Sequence, residues 1–375
     1  MKLDNNFSSN YRMPAEFHRH KGTIMIWPIR PGSWPDRAKA KKIFIKIARL
    51  IAEHEKLYMI CDQSHKNECE EYLYNDADKI VQDNLKIVVA NTNDAWARDT
   101  SPIFVKQNKE KNNTLPEICG INFTFNAWGG EYDGLYADWA DDDKLAIKLC
   151  DSLGYDYFDA APFVLEGGSI HTDGKGTLIA TESCLLSPGR NPDLNKKDIE
   201  DVLKKYLGIK KVIWIPYGIY NDETNEHVDN VCAFTSEENV VLAWTDDEND
   251  PQYEMSMANL KVLQSATDCD GKPIKVHKLL IPNKPVVIQQ DDLEGYEFED
   301  GEDIRELGER LAASYVNFYI ANDIVLVPQF EDINDIKALG LIQELIPDKE
   351  VIGIYARDII VGGGNIHCIT MQIPD

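Results

Sequence analysis

Cys368 ends the segment Gly362-Gly-Gly-Asn-Ile-His-Cys368, in which it follows a run of glycines. A thiol becomes a nucleophile when its neighbours stabilise the thiolate. Gly363 and Gly364 permit the unusual backbone torsions and the close approach that a bound substrate needs. Two other interpretations are open, namely a buried cysteine that packs as a small hydrophobe and a glycine run that makes a tight turn. A phosphate loop is excluded, because no Gly-Lys-Ser/Thr follows the glycines.

The segment His227-Val-Asp229 places an imidazole and a carboxylate two positions apart. On a β-strand both side chains would project from the same face, and a histidine beside a carboxylate is suited to carry protons. With Cys368 they form the set of groups that nucleophilic catalysis uses. The histidine is equally explained as structural. A zinc site of His227, Asp229 and Cys368 is the competing interpretation, although neither HExxH nor a PCxxC pattern accompanies it.

Two further acids, Asp99 and Glu166, stand in polar motifs elsewhere in the chain. Together with Asp229 they are more carboxylates than the orientation of one imidazole requires. A guanidinium substrate would explain them, because its planar fork of N–H donors pairs bidentately with carboxylates. Trp96, which precedes Asp99 in the same motif, is suited to stack on such a delocalised cation, and a core position explains it equally well.

The composition also favours a small cationic partner. The chain has 375 residues and a formal net charge of -25, which excludes nucleic acid as the main partner because phosphate binding depends on clustered Lys and Arg. The acidic runs 246–254 and 291–302 are either solvated surface or a field that concentrates a cationic substrate. No apolar stretch reaches the length of about 20 residues that a membrane span needs. No signal sequence opens the chain, so we expect a cytoplasmic protein with no membrane partner.

An irregular polar motif, two strands, an amphipathic helix and a third strand recur along the chain. We predict such cycles over residues 99–153, 166–215, 227–280 and 314–354. A fifth cycle would join the segment from Gly362 to N-terminal elements, predicted as strand 23–27, helix 37–51 and strand 57–60. Repeats of this kind bury their faces against neighbours, and a ring closed by its own ends leaves no free sheet edge.

The predicted fold is therefore α/β, a five-bladed propeller of pseudo-symmetric ββαβ units around a central active site. An ordinary mixed α/β sandwich is the alternative. Asp99, Glu166, His227 with Asp229, and Cys368 fall at the openings of successive units, which would point them toward the axis. No Ser/Pro-rich linker divides the sequence, so we expect one continuous domain over 1–375, with only residues 1–9 fraying.

These residues lie in ordered motifs by which the chain resembles the agmatine deiminase family of the guanidino-group-modifying (pentein) superfamily, whose members are five-bladed α/β propellers. The resemblance covers nearly the whole chain. The motifs that carry it are Met13-Pro-Ala-Glu-Phe17, Trp27-Pro-Ile-Arg-Pro31, Asn93-Asp-Ala-Trp-Ala-Arg-Asp99, Phe125-Asn-Ala-Trp-Gly-Gly130, Leu165-Glu-Gly-Gly-Ser-Ile-His171, Gly189-Arg-Asn-Pro192, His227-Val-Asp-Asn230, Ala313-Ser-Tyr-Val-Asn-Phe318 and Gly362-Gly-Gly-Asn-Ile-His-Cys-Ile-Thr370.

The resemblance implies hydrolysis of agmatine to N-carbamoylputrescine and ammonia, in polyamine (putrescine) metabolism, through an S-alkylthiouronium on Cys368. It implies that His227 is the general acid and base, and that Asp99 and Asp229 hold the guanidinium. Glu166 is implied as a further acid next to His227 and the substrate.

Other features of the site are also implied. Trp96 is expected to line the pocket and Glu223 to face the distal ammonium, while the close approach of substrate is expected at Gly363 and Gly364. No metal and no cofactor is expected. We also expect a homo-oligomer, either a dimer or a tetramer.

The chain departs from the family pattern beside the catalytic histidine. Glu226 precedes His227 where the family usually has glycine, and a glutamate would be strained there if the backbone needs a positive φ. The alternative functions are a deiminase of free or peptidyl arginine and a catalytically inactive polyamine-binding protein. The first would need a basic residue at the far end of the pocket, for which the motifs offer Arg98 and Arg190. The second would need neither His227 nor Cys368.

Overall fold

The structure is a computed structural model that describes residues 1–3, 11–108, 116–302 and 304–375. Its strands are β1 (Tyr11–Arg12), β2 (His20–Ile26), β3 (Lys56–Cys61), β4 (Leu85–Val89), β5 (Ile103–Gln107), β6 (Ile118–Thr124), β7 (Asp156–Val164), β8 (His171–Thr172), β9 (Thr177–Thr181), β10 (Lys211–Ile215), β11 (Cys232–Phe234), β12 (Asn239–Trp244), β13 (Lys275–Leu280), β14 (Tyr319–Ile320), β15 (Ile324–Gln329), β16 (Glu350–Tyr355) and β17 (Met371–Pro374).

The helices alternate with these strands. They are α1 (Arg37–Ala52), α2 (Lys66–Tyr74), α3 (Lys79–Asn84), α4 (Ala97–Thr100), α5 (Gly130–Asp133), α6 (Ala140–Asp143), α7 (Leu145–Leu153), α8 (Glu182–Leu185), α9 (Lys196–Leu207), α10 (Pro251–Ser265), α11 (Gln290–Gly295), α12 (Asp335–Leu345) and α13 (Arg357–Ile360). Two short 3₁₀ turns cover Gly167–Ser169 and Val228–Asn230.

Within the described residues the strands form five small sheets. In three of them an antiparallel pair is followed, after a helix, by a third strand parallel to the second. These three sheets are β8–β9–β10, β11–β12–β13 and β14–β15–β16. Strands β5, β6 and β7 follow the same plan, with β1 added at the edge. The mixed α/β class and the repeated ββαβ order are confirmed, while the arrangement of the sheets around one axis stays a prediction.

The fifth sheet joins the two ends of the described chain. Strand β17 pairs antiparallel with β2, where Met371 lies opposite Ile24, and β2 pairs in parallel with β3. The predicted fifth unit, made from C-terminal and N-terminal segments, is therefore present. Cys368, the candidate nucleophile, precedes β17, so the strand that closes this sheet also positions Cys368.

The best-predicted elements have strong local signals. Helix α9 begins at a capping box, in which Asn195 accepts from the backbone of Asp198 and Asp198 accepts from the backbone of Asn195, and it ends at Gly208 with φ 67°. Strands β9 and β12 read as continuous apolar runs, as is typical of strands that are covered on both faces.

Two predicted strands are wrong. His227 is extended, but the residues after it form the 3₁₀ turn Val228–Asn230, and strand β11 begins only at Cys232. The segment 314–318 is likewise irregular, and strand β14 begins at Tyr319. In both places the backbone leaves the hydrogen-bond ladder of the sheet, and polar side chains turn toward the candidate active site.

The N-terminal residues that the structure describes are attached to β7. Lys2 Nζ lies 2.8 Å from Asp159 Oδ2, and Leu3 N donates to Tyr157 O. The predicted fraying of residues 1–9 stays a prediction, and most of these residues lie outside the described ones. Among the described helices, none combines the length and the apolar character needed to cross a membrane.

Candidate active site

The polar side chains of the site precede the first strand of successive ββαβ units. Asp99 lies on α4 ahead of β5, and Glu166 lies ahead of β8. His227 and Asp229 precede β11, and Cys368 precedes β17. The remaining opening, before β14, contributes Asn317, which we did not single out from the sequence.

These side chains meet at a cavity of about 630 Å³. Every predicted substrate-binding or catalytic residue except Glu166 lines it. They are Trp96, Asp99, Glu223, His227, Asp229, Gly363, Gly364 and Cys368. The cavity is thus the place where the sequence-predicted groups come together.

Gly168 shows how closely the catalytic groups converge. A Cβ atom at this position would lie 2.6 Å from His227 Nδ1, 2.9 Å from Asp229 Oδ2 and 3.0 Å from Asp99 Oδ1. The backbone N–H of Gly168 donates to Asp99 Oδ1 at 2.9 Å. Glycine is therefore required here, because any side chain would enter the space that these three residues share.

Asp99 is held by donors on both oxygens. Gly168 N donates to Oδ1, and Trp128 Nε1 donates to Oδ2 at 2.9 Å. Burial raises the pKa of Asp99, the charges of Asp229 and Glu166 raise it further, and His227 lowers it. The carboxylate is fixed in orientation, and its ion-pair partner among the described residues is His227.

His227 lies between two carboxylates. Its Nδ1 is 3.9 Å from Asp99 Oδ2, and its Nε2 is 3.9 Å from Glu166 Oε2. Burial alone would lower the pKa of His227, but Asp99, Cys184 and Glu166 raise it well above its usual value. These neighbours favour the imidazolium, which is the form that can donate a proton.

Cys368 is 7% exposed at the cavity wall. Its Sγ lies 3.3 Å from Asn317 Nδ2 and 3.7 Å from Asp229 Oδ2. Burial raises the pKa of Cys368 well above the usual value for a thiol, and Asp229 and Asp99 raise it further, while Asn365 and Asn317 oppose them. At rest Cys368 is a thiol, and a positive charge nearby would favour its ionisation.

Glu166 is the one predicted site residue outside the cavity. It is fully buried, and its Oε1 lies 2.7 Å from Arg190 Nε. Arg190 also donates to the backbone of Trp128 and of Thr224. Glu166 therefore stands behind His227 as half of a buried ion pair, and contact with substrate is not the role that this geometry favours.

An aromatic wall faces these groups. Trp96 Nε1 donates to Asp94 Oδ2 at 3.0 Å and contacts Tyr136 Oη at 2.9 Å. Trp96 also packs on Trp34, with ring centroids 5.0 Å apart. The Trp96 ring is thus both a core aromatic and a pocket wall, and Gly364 allows this contact because a Cβ there would lie 2.5 Å from the ring.

The outer end of the cavity is acidic but partly closed by an ion pair. Glu223 Oε2 lies 2.5 Å from Arg305 Nη1, which also binds Glu309 Oε1 at 3.0 Å. Gly363 has φ 104°, and a Cβ there would collide with Glu223. Asp222, also in the wall, has its pKa raised to about 6 by burial. Glu223 therefore lines the cavity with Arg305 as its present partner, and its contact with a distal ammonium stays a prediction.

Two groups among the described residues have the geometry to hold a metal ion. They are Glu16 with His171 and His367, and Glu166 with Cys184 and His227. In the first, Arg98 Nη2 lies 3.0 Å from Glu16 Oε2, and in the second, Arg190 neutralises Glu166. A guanidinium in contact with each carboxylate disfavours a divalent cation. The alternative zinc set of His227, Asp229 and Cys368 is not among the groups found.

Glu226 adopts the conformation that glycine would adopt most easily. Its φ is 69°, following Asn225 at φ 60°. Its Oε2 accepts hydrogen bonds from Gly218 N at 2.6 Å and Ser183 Oγ at 2.9 Å. The carboxylate thus turns away from His227, and its bonds compensate for the left-handed backbone.

Several residues that shape the site were missed from the sequence. They are Glu16, Asp94, Trp128, Tyr136, Cys184, Asp222, Arg305, Asn317 and His367. Five of them lie inside the quoted motifs, so their positions carried a signal. Their roles depend on contacts across the fold that the motifs do not specify.

Comparisons with known proteins give matches over nearly the whole chain. The family model for Porphyromonas-type peptidyl-arginine deiminases matches residues 12–374. A Selenomonas ruminantium protein provisionally named an agmatine deiminase is 50% identical over 368 residues, which cover 98% of this chain and 96% of that protein. The solved agmatine deiminase of Enterococcus faecalis has a TM-score of 0.92 at 39% identity, with 100% of both chains covered. A Porphyromonas gingivalis structure provisionally named an arginine deiminase has a TM-score of 0.80 at 28% identity and covers 97% of this chain and 98% of that one.

We expect deiminase activity, measured as ammonia released from a guanidino compound, to survive exhaustive chelation, because arginines already neutralise the carboxylates of both candidate metal groups. A zinc hydrolase carried through the same treatment checks that chelation is complete. Loss of activity that zinc restores would contradict this expectation.

Substitutions at Glu226 separate the backbone from the charge. Glu226→Gly and Glu226→Ala lose the same two hydrogen bonds, but only alanine keeps the left-handed penalty, so we expect the glycine variant to be more stable by about 1 kcal/mol. Chemical denaturation measures the difference.

The matched control is Glu226→Gln, which keeps the size and an acceptor oxygen. We expect all three variants to keep the pH optimum of the parent chain, since the carboxylate bonds Gly218 and Ser183. A shifted optimum in Glu226→Gln would show that the charge acts on His227 after all.

Proposed function

This chain belongs to the Porphyromonas-type peptidyl-arginine deiminase family, and we propose that within it the chain hydrolyses agmatine to N-carbamoylputrescine and ammonia. It is an enzyme that acts on C–N bonds, as its relatives indicate. The observation that carries the proposal is one cavity that holds Cys368, His227 and the carboxylates Asp99 and Asp229. The similarity to agmatine deiminases supports the choice of substrate.

The charges of the cavity support a substrate with cations at both ends. Its acidic lining residues are Asp99, Asp222, Glu223, Asp229, Glu302, Glu306 and Glu309. Its two arginines are already paired: Arg30 with Glu302, and Arg305 with Glu223 and Glu309. The α-carboxylate of arginine would meet this acidic wall, whereas the ammonium of agmatine is attracted to it.

The two arginines offered by the sequence for a carboxylate are also engaged. Arg98 Nη2 contacts Glu16, and Arg190 Nε contacts Glu166. Both are less than 5% exposed, and neither lines the cavity. This weakens the alternative of a free-arginine deiminase, while the name of the family keeps peptidyl arginine as the substrate to test against.

The first half-reaction follows from the resting protonation states. A bound guanidinium next to Asp99 and Asp229 offsets the negative field that keeps Cys368 protonated, so the thiol releases its proton to water and the thiolate forms. The sulfur then forms a bond to the guanidinium carbon. His227 gives its proton to one nitrogen, the C–N bond breaks, and ammonia leaves an S-alkylthiouronium on Cys368.

The second half-reaction uses the neutral form of His227. It takes a proton from water as the oxygen adds to the thiouronium carbon. The C–S bond then breaks and its electron pair returns to Cys368, whose thiolate takes the hydroxyl proton, so that the ureido product and the resting thiol are formed. We further propose that this product, a carbamoylated diamine, enters polyamine metabolism.

The substrate assignment predicts a clear preference. Agmatine should be hydrolysed at least about 100-fold faster, in kcat/KM, than arginine or a peptide with internal arginine, which corresponds to a difference of about 2.7 kcal/mol in transition-state binding. Ammonia release under identical conditions measures all three. Faster hydrolysis of the peptide would overturn the proposal and favour the alternative.

Replacement of the nucleophile tests the covalent step. We expect Cys368→Ser to abolish turnover, on the scale of several orders of magnitude, and to bind agmatine still, because the acids of the cavity remain. Residual activity above about 1% of the parent chain would exclude an obligatory thiouronium. Cys269→Ser, at a half-buried thiol outside the cavity, is the matched control and should retain full activity.

A further inference from the structure

His367, the residue before Cys368, is held between two buried carboxylates. Its Nδ1 lies 2.8 Å from Asp229 Oδ2, and its Nε2 lies 2.8 Å from Glu16 Oε2. A histidine that bonds an ionised carboxylate at each ring nitrogen must carry a proton on both. His367 is therefore an imidazolium that bridges the two acids.

Electrostatics agrees with this protonation. Burial and Arg98 would lower the pKa of His367, but Glu16 and the hydrogen bonds to both acids outweigh them and raise it. His171 stacks on His367 with an interplanar angle of 26°, and burial lowers its own pKa to about 4. The stacked pair thus contains one cation, which is His367.

Glu16 is itself fixed from the side away from the cavity. Ile320 N donates to Oε1 at 2.9 Å, and Arg98 Nη2 donates to Oε2 at 3.0 Å. Neither Glu16 nor His367 lines the cavity. The hydrogen bond from His367 to Asp229 connects this pair to a carboxylate of the cavity wall.

The protein contacts of Asp229 fall on one of its two carboxylate oxygens. Oδ2 contacts the His367 ring and the Sγ of Cys368. Oδ1 is buried and has no hydrogen-bond partner among the described residues. A buried carboxylate oxygen without a donor is costly, and Asp229 belongs to the cavity wall. Oδ1 is thus the acceptor left for an N–H of an incoming ligand.

We propose that His367 is a positioning residue that, supported by Glu16, locks one oxygen of Asp229 and so presents the other to the substrate guanidinium. The inference rests on the proposed function, because it names the substrate cation as the group that Asp229 receives. It adds a hydrogen-bonded chain of three residues, from Glu16 through His367 to Asp229, behind the cavity wall.

Two neutral substitutions of His367 separate its two hydrogen bonds. The amide nitrogen of asparagine reaches the place of Nδ1, so His367→Asn keeps a donor for Asp229. The amide nitrogen of glutamine reaches the place of Nε2, so His367→Gln keeps a donor for Glu16 instead. Both variants lose the positive charge of the imidazolium, and they differ in which of the two acids keeps its hydrogen-bond donor.

We expect His367→Gln to lower kcat/KM for agmatine by roughly 10- to 100-fold more than His367→Asn, because only glutamine leaves Asp229 without its donor. The acid limb of the pH profile should move to higher pH in both. The imidazolium now helps to hold the pKa of Asp229 below its usual value against burial. Without it that pKa rises, so Asp229 is protonated and inactive at a higher pH.

The matched control is His65→Gln, which removes a histidine that pairs with Asp62 at the surface and should leave the rate and the pH profile unchanged. Thermal unfolding of each variant identifies a loss of fold. Equal kcat/KM values and an unshifted acid limb in the two folded His367 variants would overturn the positioning role. A parent chain that releases no ammonia from agmatine would instead overturn the proposed function.

A measurement without turnover tests the same inference. Selective ¹⁵N labelling of histidine, with His367→Gln used to assign the signal, reports the protonation of both ring nitrogens near neutral pH. Two protonated nitrogens are expected. A neutral His367 ring would overturn the proposed bridge between Glu16 and Asp229, whatever the activity of the protein.

Discussion

The structure depends on how the chain neutralises carboxylates that it has removed from water. Four of the buried acids surround the candidate catalytic groups, namely Glu16, Asp99, Glu166 and Asp229. A buried charge without a partner costs on the order of several kcal/mol. Arginines contact two of the four permanently, through the pairs of Arg98 with Glu16 and Arg190 with Glu166. Asp99 and Asp229 have no arginine partner, and these are the two that line the cavity. Their ion-pair partners among the described residues are histidine rings, His227 near Asp99 and His367 on Asp229, and Oδ1 of Asp229 has no donor. The fold thus leaves a deficit of hydrogen-bond donors at one place, and a cationic substrate would supply them.

This deficit links binding to reactivity. The same two carboxylates raise the pKa of Cys368 and so keep the nucleophile protonated when the cavity is empty. A bound cation would reverse their effect on the thiol, whereas a neutral ligand would not. His227 is the acid that would protonate the departing group. A similar field favours its protonated form, since Asp99 and Glu166 raise the pKa of His227. One arrangement of charges therefore accounts for the preference for a cationic ligand, for the protonated thiol of Cys368 in the empty cavity and for the protonated ring of His227.

Much of the fold could be predicted because its signals are local. The range of α9 follows from a capping box and a terminal glycine, and β9 follows from an apolar run. The site was predictable where a residue type suggests chemistry, as for Cys368. His227 and Asp229 were found, but a spacing of two was misread as a strand, because nothing local distinguishes a 3₁₀ turn there. Asn317 and His367 could not be assigned, since their partners lie far away in sequence: 51 residues separate Asn317 from Cys368, and 351 separate His367 from Glu16.

The motif Asn93-Asp-Ala-Trp-Ala-Arg-Asp99 shows why residue type alone does not define a role. It contains two buried aspartates, Asp94 and Asp99. The oxygens of Asp94 accept hydrogen bonds from Ser33, Trp34, Ala95, Trp96 and Tyr136. A carboxylate has about four lone-pair sites, so Asp94 is saturated and can only brace the aromatic wall. Asp99 accepts from Gly168 and Trp128 alone among the described side-chain and backbone donors, which leaves it the capacity to bind a ligand. The number of donors that the fold supplies, rather than the amino acid, separates the structural acid from the functional one.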